Sequence, residues 1–232
     1  MRSIPRLLPR LSLFCAGLLL ATAARADIAF GHIVPLTGAN AATGQAIAAG
    51  ARAYIDEVNA AGGVAGQKIV HVVRDSQGQA GQTEAQAAML IRQDHVFALL
   101  SGTDTAPARE LALSGLLRQQ RVPLLLLRNA AQDPAAADDE APGRDTGLIE
   151  IAPPADYYAP LLNEYRAALA RYGPAGSSYS SAGLQGYIAA KVMVGTLRLL
   201  GAPPTHANTF TAMRDMTPDR LNHLVIGSGA AQ

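Results

Sequence analysis

The chain has 232 residues, of which 49% are hydrophobic, 5% aromatic and none tryptophan, so alanine, leucine and valine must carry the burial. That length fits one large domain or two small ones. The formal net charge is +1, but four arginines fall within residues 1–26; without them 19 − 4 = 15 basic residues face 18 acidic ones, a net −3. A mildly acidic chain lacks the basic stripe a nucleic-acid partner would need.

Residues 1–26 read as a secretory signal peptide. Arg2, Arg6 and Arg10 make a positive start, residues 11–22 an apolar run, and Ala24-Arg25-Ala26 a small-x-small site with cleavage expected after Ala26. The run falls short of the roughly 20 apolar residues of a membrane span. A lipoprotein reading would use Cys15, but the bulky Phe14 stands before it. Cys15 is the single cysteine, so the mature chain is expected to have no disulfide. An exported chain without disulfides depends on its core, which favours a sizeable α/β domain.

From Asp27 the pattern alternates strand and helix. Ile28, Phe30 and the run 33–36 predict a strand ending at Pro35–Gly38. An alanine-rich helix follows, with Ile47, Ala51, Ile55 and Val58 on one face. Gly62-Gly63 closes it, as glycine does where the backbone turns left-handed. The β-branched run 69–73 predicts the next strand, and strand–helix–strand is a parallel, right-handed βαβ unit. A helix over 82–93 has Ala85, Ala88, Met89 and Ile91 as its expected buried side, and the run 96–100 predicts a strand covered on both faces. After Ser101–Pro107 a helix begins, with Thr105 as candidate cap and Leu111, Leu113, Leu116 and Leu117 as apolar positions. Residues 122–127 predict a fourth strand.

Residues 132–147, QDPAAADDEAPGRDTG, show no period and read as a linker. A short strand over 148–152 stops at Pro153-Pro154, a helix over 158–172 ends at Gly173-Pro174, and residues 177–181 form a polar turn. Residues 186–200 predict the strongest helix of this half, with Ile188, Val192, Thr196 and Leu199 on one face. Thr205 is placed to cap a short helix through Met213; residues 224–226 read as a final strand and 227–232 as a tail. The fold class is therefore α/β, an open doubly wound parallel sheet flanked by helices.

Chemistry-bearing motifs are sparse. His32, His71, His95, His206 and His223 are scattered without metal spacing and read as surface or strand-end residues. There is no G-x-S-x-G elbow. Gly62–Gly66 lacks the Lys-Ser/Thr of a P-loop and follows a helix, so it reads as a helix stop. Asp138, Asp139 and Glu140 could hold a hard cation, but their spacing fits no calcium loop and a solvated acidic loop is the reading preferred. Asp75 and Asp104 are the only acids at strand ends that could form a carboxylate pair. What remains is the set of strand carboxyl ends, Leu36–Gly38, Asp75-Ser76, Thr103–Ala106 and Asn129-Ala130. Ligands of open parallel sheets bind there, and a helix start with hydroxyl caps suits a carboxylate. Ordinary caps and turns are the competing reading.

PLTG, the run GARAYIDEVNAAGGVAGQKI, RDSQ, LIRQDHVFALLSGTDTAPA and the late SSAGLQGYIAAKVMVGTLRLLG together resemble the leucine/branched-chain amino-acid-binding proteins, periplasmic receptors of ABC uptake systems. The likeness covers residues 27–131 and 149–213. It implies a two-lobed α/β clamshell without catalytic residues or cofactor, a small-molecule ligand such as an amino acid, amide or small carboxylate, and an inner-membrane ABC permease as partner. By resemblance Thr103, Asp104, Thr105 and Ala106 fall at the ligand-carboxylate loop and Thr43 where a first-lobe side chain covers the ligand. Asn129 and Ala130 fall at the second recognition loop, where the family usually has Ala-Thr.

Family members carry a second lobe between the fourth strand and the late helices; here residues 132–147 take its place. The expected layout is a signal over 1–26, the first part of lobe 1 over 27–131, the linker, returning lobe 1 elements over 148–226, and the tail. The implied function is an extracytoplasmic solute receptor, degenerate or single-lobed. The alternatives are a sensing or interaction module of the same fold and a small α/β enzyme.

Overall fold

The computed structural model describes residues 27–102, 105–128, 142–151, 158–201, 203–217, 220 and 223–224. Five strands form one parallel sheet: β1 (Ile28–Val34), β2 (Ile69–Asp75), β3 (Ala98–Ser101), β4 (Leu124–Leu127) and β5 (Leu148–Ile151), in the order β2-β1-β3-β4-β5. The register pairs Ile28 with Ile69, Phe30 with Ala98, Leu99 with Leu124 and Leu124 with Leu148. Among the described residues seven α-helices have defined bounds: α1 (Ala41–Ala60), α2 (Ala80–Arg92), α3 (Thr105–Leu113), α4 (Leu116–Gln120), α5 (Tyr158–Tyr172), α6 (Ser181–Leu199) and α7 (His206–Arg214).

Alternation along the strands assigns the helices to two layers. Ile28, Phe30, Ile69, Leu100, Leu125 and Ile149 meet α1, α5 and α6 through Ile55, Tyr165 and Ile188. The opposite residues, Ile33, Leu99, Leu124, Leu126 and Leu148, meet α2, α3 and α4 through Leu90, Leu111 and Leu117. Every residue of β3 and β4 is buried, as expected of a sheet covered on both faces.

The α1 periodicity holds: Ile47, Ala51, Ile55 and Val58 are all buried, and Gly62 and Gly63 take φ of 101° and 78° just past the helix. The small residues of α1 and α6 let the two helices touch backbone to backbone. A Cβ on Gly50 would lie 1.8 Å from the Gly183 carbonyl oxygen, and one on Gly186 would lie 1.9 Å from that of Ile47. Three rings fill the adjoining space: Tyr187 has Tyr54 at 5.1 Å and Tyr165 at 5.5 Å between centroids. Ser180 caps α6 by accepting from the Gly183 N–H at 3.0 Å. Thr205 caps α7 in a reciprocal box with Asn208, as its sequence predicts.

Several expectations are corrected. On α2, Ala85 and Met89 are exposed, and Thr83, Ala87, Leu90 and Ile91 face the sheet. The helix after Ser101 is two helices: Gly115, at φ 82°, breaks it between α3 and α4, and this rotation leaves Leu113 70% exposed. Helix α6 starts five residues earlier than its apolar run indicates, and Leu199 is 55% exposed because the sheet lies beneath the other turns. Leu224 is helical, so no strand begins there. Asp138, Asp139 and Glu140 lie outside the described residues. Among the described residues, no helix is long and apolar enough to cross a membrane.

Candidate functional site

All five strands are parallel, so their carboxyl ends share one edge. In the order β2-β1-β3-β4-β5 the connections leave β1 and β3 in opposite directions, towards α1 on one face and α3 on the other. This divergence is the topological switch point, where open α/β sheets present a crevice. The two strand ends are tightly joined beneath it. The Gly102 N–H donates to the Ile33 carbonyl at 3.1 Å. A Cβ at Gly102 would meet Val34 at 3.2 Å and Ile47 of α1 at 3.8 Å. Gly44 lets the first turn of α1 sit directly on the end of β1, since its Cβ would fall 1.9 Å from the Pro35 carbonyl oxygen.

Thr43 is half-buried in the first turn of α1, and Thr105 is buried at the first position of α3 with Ala106 exposed beside it. The structure brings Thr43 and Thr105 to the same edge, one on each side of the switch point. Thr105 is a helical residue here rather than the cap. Thr103, Asp104, Asn129 and Ala130 lie outside the described residues.

Three polar arrangements accompany the edge. At the end of β2, Asp75 accepts from the Leu36 N–H at 2.8 Å, the Thr37 hydroxyl at 2.6 Å and the Gln77 N–H at 2.8 Å. The Thr37 hydroxyl, aided by those backbone donors, holds its carboxyl below the usual range. Asp75 thus ties the β1 and β2 ends together and is occupied as a structural acceptor, which argues against a catalytic carboxylate pair.

At the end of β4, Glu150 of β5 accepts from Arg109 Nε at 2.9 Å and from Arg128 Nη1 at 3.3 Å. These side chains are only 10–16% exposed. Arg109 and Glu150 are 41 positions apart, and no spacing rule in the sequence joins them.

The third arrangement corrects the reading of the histidines. His32 is fully buried, and its Nδ1 lies 3.0 Å from Nε2 of His71 on the neighbouring strand. Burial, reinforced by His71, drives the His32 pKa well below its ordinary value. Burial first and Arg52 second lower that of His71 to about 4. One ring must donate and the other accept, so the pair is neutral at pH 7. His71 borders a groove of about 880 Å³ between α1, the outer side of β2 and the loop 174–180, with Arg52, Asp56 and Ser177 on its walls. A second cavity of about 540 Å³ lies at the far pole between α4 and α7. Thr43 and Thr105 line neither. Among the described residues, no three His, Cys, Asp or Glu side chains converge on a metal position.

An open parallel sheet with helix starts and hydroxyls gathered at its switch point has the architecture of an α/β lobe of the kind that presents ligands at that edge. The chain belongs to the periplasmic binding protein family, whose model matches residues 27–149. It is 35% identical over 105 residues to the Leu/Ile/Val-binding protein BraC3 of Rhizobium johnstonii, a match covering 44% of this chain and 29% of that protein. The chain spans less than a third of the length of the curated relatives it matches first, 25% and 29%. Among solved structures it resembles a substrate-binding periplasmic protein from Ralstonia solanacearum, with TM-score 0.63, 20% identity and coverage of 81% of this chain and 88% of that one. It also resembles an ABC-transporter solute-binding protein from R. palustris in complex with 4-hydroxybenzoate, with TM-score 0.57, 15% identity and coverage of 83% and 86%. At these identities the structural likeness speaks for the fold.

Proposed function

We propose that the chain is the extracytoplasmic solute-binding subunit of an ABC uptake system, exported through a signal peptide over residues 1–26 and working with an inner-membrane permease. The observation that carries this reading is the placement of Thr43 and Thr105 on the two sides of the switch point, in a chain of this family. The ligand is a small polar solute, an amino acid, amide or small carboxylate. The name of the R. johnstonii relative and the 4-hydroxybenzoate held by the R. palustris protein both fall within that range. Thr43, Thr105 and Ala106 would meet the ligand together with Thr103, Asp104, Asn129 and Ala130. No catalysis is assigned.

The site is read as a half-site. The five described strands belong to one sheet, and β4 is followed by β5 after residues 128–147 alone. A second lobe would close over the ligand and exclude water, which strengthens polar interactions. Without it, binding is expected to be weak. Thermal unfolding of the full chain with leucine, isoleucine, 4-hydroxybenzoate and their amides tests this. A ligand that binds only the folded state raises the midpoint by mass action. A shift appearing only at millimolar concentrations supports the reading. No shift with any solute defeats the receptor function, and submicromolar affinity defeats the half-site.

A further inference from the structure

We propose that the outer edge of β2 takes an extended acidic peptide as an added strand, with every second side chain of the peptide in the groove beside α1. This site is separate from the receptor edge, since Thr43 and Thr105 do not border that groove.

β2 stands at the end of the sheet, paired on one side alone. Its even-numbered residues turn their main-chain groups towards β1: the Ile28 N–H donates to the Lys68 carbonyl at 2.8 Å, and the Ser76 N–H donates to the Val34 carbonyl at 3.0 Å. Alternation then turns those of Ile69, His71 and Val73 outwards. Ile69 shows what fits there. Its N–H donates to Asn59 Oδ1 and its carbonyl accepts from Asn59 Nδ2, both at 2.8 Å, so a carboxamide from the last turn of α1 already occupies the first rung. The outward N–H and carbonyl groups of His71 and Val73 have no partner among the described residues. Residues 69–73 carry no proline, no charge and no bulge, the usual protections of a free edge, and Val70 is exposed on the other face.

The side chains of Ile69, His71 and Val73 line the groove of about 880 Å³, with Arg52 and Ile55 of α1 on its wall. A peptide paired to β2 sends alternate side chains into it, the division of labour of strand addition: main chain for affinity, pockets for specificity. The charges favour an acidic peptide. Each carboxylate near the edge is occupied, Asp56 by Arg52, Asp75 by the Leu36 N–H and the Thr37 hydroxyl, and Asp94 by Arg74. The cations are not. Lys68 is exposed and has no ion pair among the described residues, and the exposed Arg52 engages Asp56 through Nε alone, at 3.3 Å. His71 adds a donor. Its Nε2 meets His32, whose own Nε2 is buried without a partner. Buried N–H groups without an acceptor are rarer than bare acceptors, so the His32 proton sits on Nδ1 and is donated to His71. The His71 proton is then on its Nδ1, on a side chain that borders the groove. A second copy of β2 at the same edge would bring these cations no free carboxylate, so a separate acidic segment is the better occupant.

The test is fluorescence polarisation of the full chain with end-blocked, fluorescein-labelled peptides of alternating valine and glutamate, or of alternating valine and lysine. The glutamate peptide should bind about tenfold more tightly or better. N-methylating either its valines or its glutamates separates the two edges of the added strand: the set facing β2 should lose binding and the other set should keep it. Val73→Pro removes one outward N–H, and proline is tolerated where the N–H of an edge strand faces solvent. It should lose binding while keeping a cooperative urea transition; should that variant not fold, the N-methyl peptides decide on the natural chain. Arg52→Glu should remove the preference for glutamate. Sedimentation of the chain alone tests a second copy as the occupant. The proposal is overturned if neither peptide binds, if peptide charge or the choice of N-methylated set makes no difference, if Arg52→Glu leaves the preference intact, or if the chain is a dimer that Val73→Pro separates.

Discussion

The two layers of the molecule solve opposite problems. On the α1/α5/α6 side the interface is closed to the point of backbone contact, with Gly50 and Gly186 leaving no room for a Cβ where the two helices meet. At the carboxyl edge the same helix α1 begins, with half-buried Thr43 in its first turn, on the other side of the switch point from the start of α3. Close packing below keeps the helix starts above in place without many interactions of their own. A binding edge on a rigid support can vary its polar residues at little cost to the fold.

The sharpest way to break the comparison is at the closed interface. Gly50→Ala would put a methyl group 1.8 Å from a carbonyl oxygen of the facing helix, and that oxygen belongs to backbone that cannot rotate away. The helices must separate, so a loss of about 3 kcal/mol or more is expected, at the upper end of overpacking effects. Loss of a cooperative urea transition would show it. Gly81→Ala is the control: nothing lies within 4 Å, its φ is not positive, and it sits in α2, so a gain of up to about 1 kcal/mol is expected. Equal effects at the two glycines would deny that helix contact at Gly50 is the cause.

The next effect is acid sensitivity in the same layer. His32 and His71 are held neutral in the folded chain, His71 with a pKa lowered from 6.5 to about 4. Unfolding frees both rings to bind protons at their ordinary value. Between pH 6.5 and 4 the unfolded state therefore binds more protons, and stability falls as pH falls. The contribution is complete above pH 6.5, and about 3 kcal/mol should be lost across the window from His71 alone, with His32 adding to it in the same direction. Asp75, held below its ordinary value, begins to contribute a loss of the same sign only below about pH 5, so the slope between pH 6.5 and 5 reports the histidines. Urea midpoints at half-unit pH steps would show the slope. His71→Asn, which leaves an amide to meet His32, should flatten it.

Much of the fold was readable because glycine, proline and capping residues punctuate apolar runs. Gly62-Gly63 marks the end of α1, and Thr205 marks the start of α7 at the expected residue. The buried side of α2 was not readable: in AGQTEAQAAMLIR the alanines give almost no contrast between faces, and the sheet selected Thr83, Ala87 and Leu90. The break at Gly115 hides in a leucine-rich stretch whose spacing would suit one continuous helix. The histidine pair and the Arg109–Glu150–Arg128 cluster depend on strand order, which no local pattern contains. For the site, the strand-end rule led to Thr105 and the family resemblance to Thr43, and parallel strands bring both to one edge whatever their order.

A smaller effect is expected at the α7 start, where one local device can be removed alone. Thr205 accepts from the Asn208 N–H at 3.1 Å, and Asn208 returns the bond to the Thr205 N–H at 2.7 Å. Thr205→Ala should cost about 1 kcal/mol, the ordinary worth of an N-cap. Because α7 packs on the core through Phe210 and Met213, the loss should appear in the global transition. A noncooperative early phase would instead mark α7 as an independently opening segment.

The smallest stability effect should come from the open edge itself. Thr43 is half-buried, and its hydroxyl makes no hydrogen bond to the described residues. Valine matches its shape, and at a half-buried site whose hydroxyl has no hydrogen-bond partner among the described residues the change should remain within about 0.5 kcal/mol. If Thr43 serves the ligand, the same substitution should abolish most of the ligand-induced rise in unfolding midpoint while leaving the ligand-free midpoint in place. A reversed outcome, with lower intrinsic stability and unchanged ligand response, would return Thr43 to the closed layer as a packing residue. The division between a rigid support and a permissive edge would then have to begin further along the crevice, at Thr105.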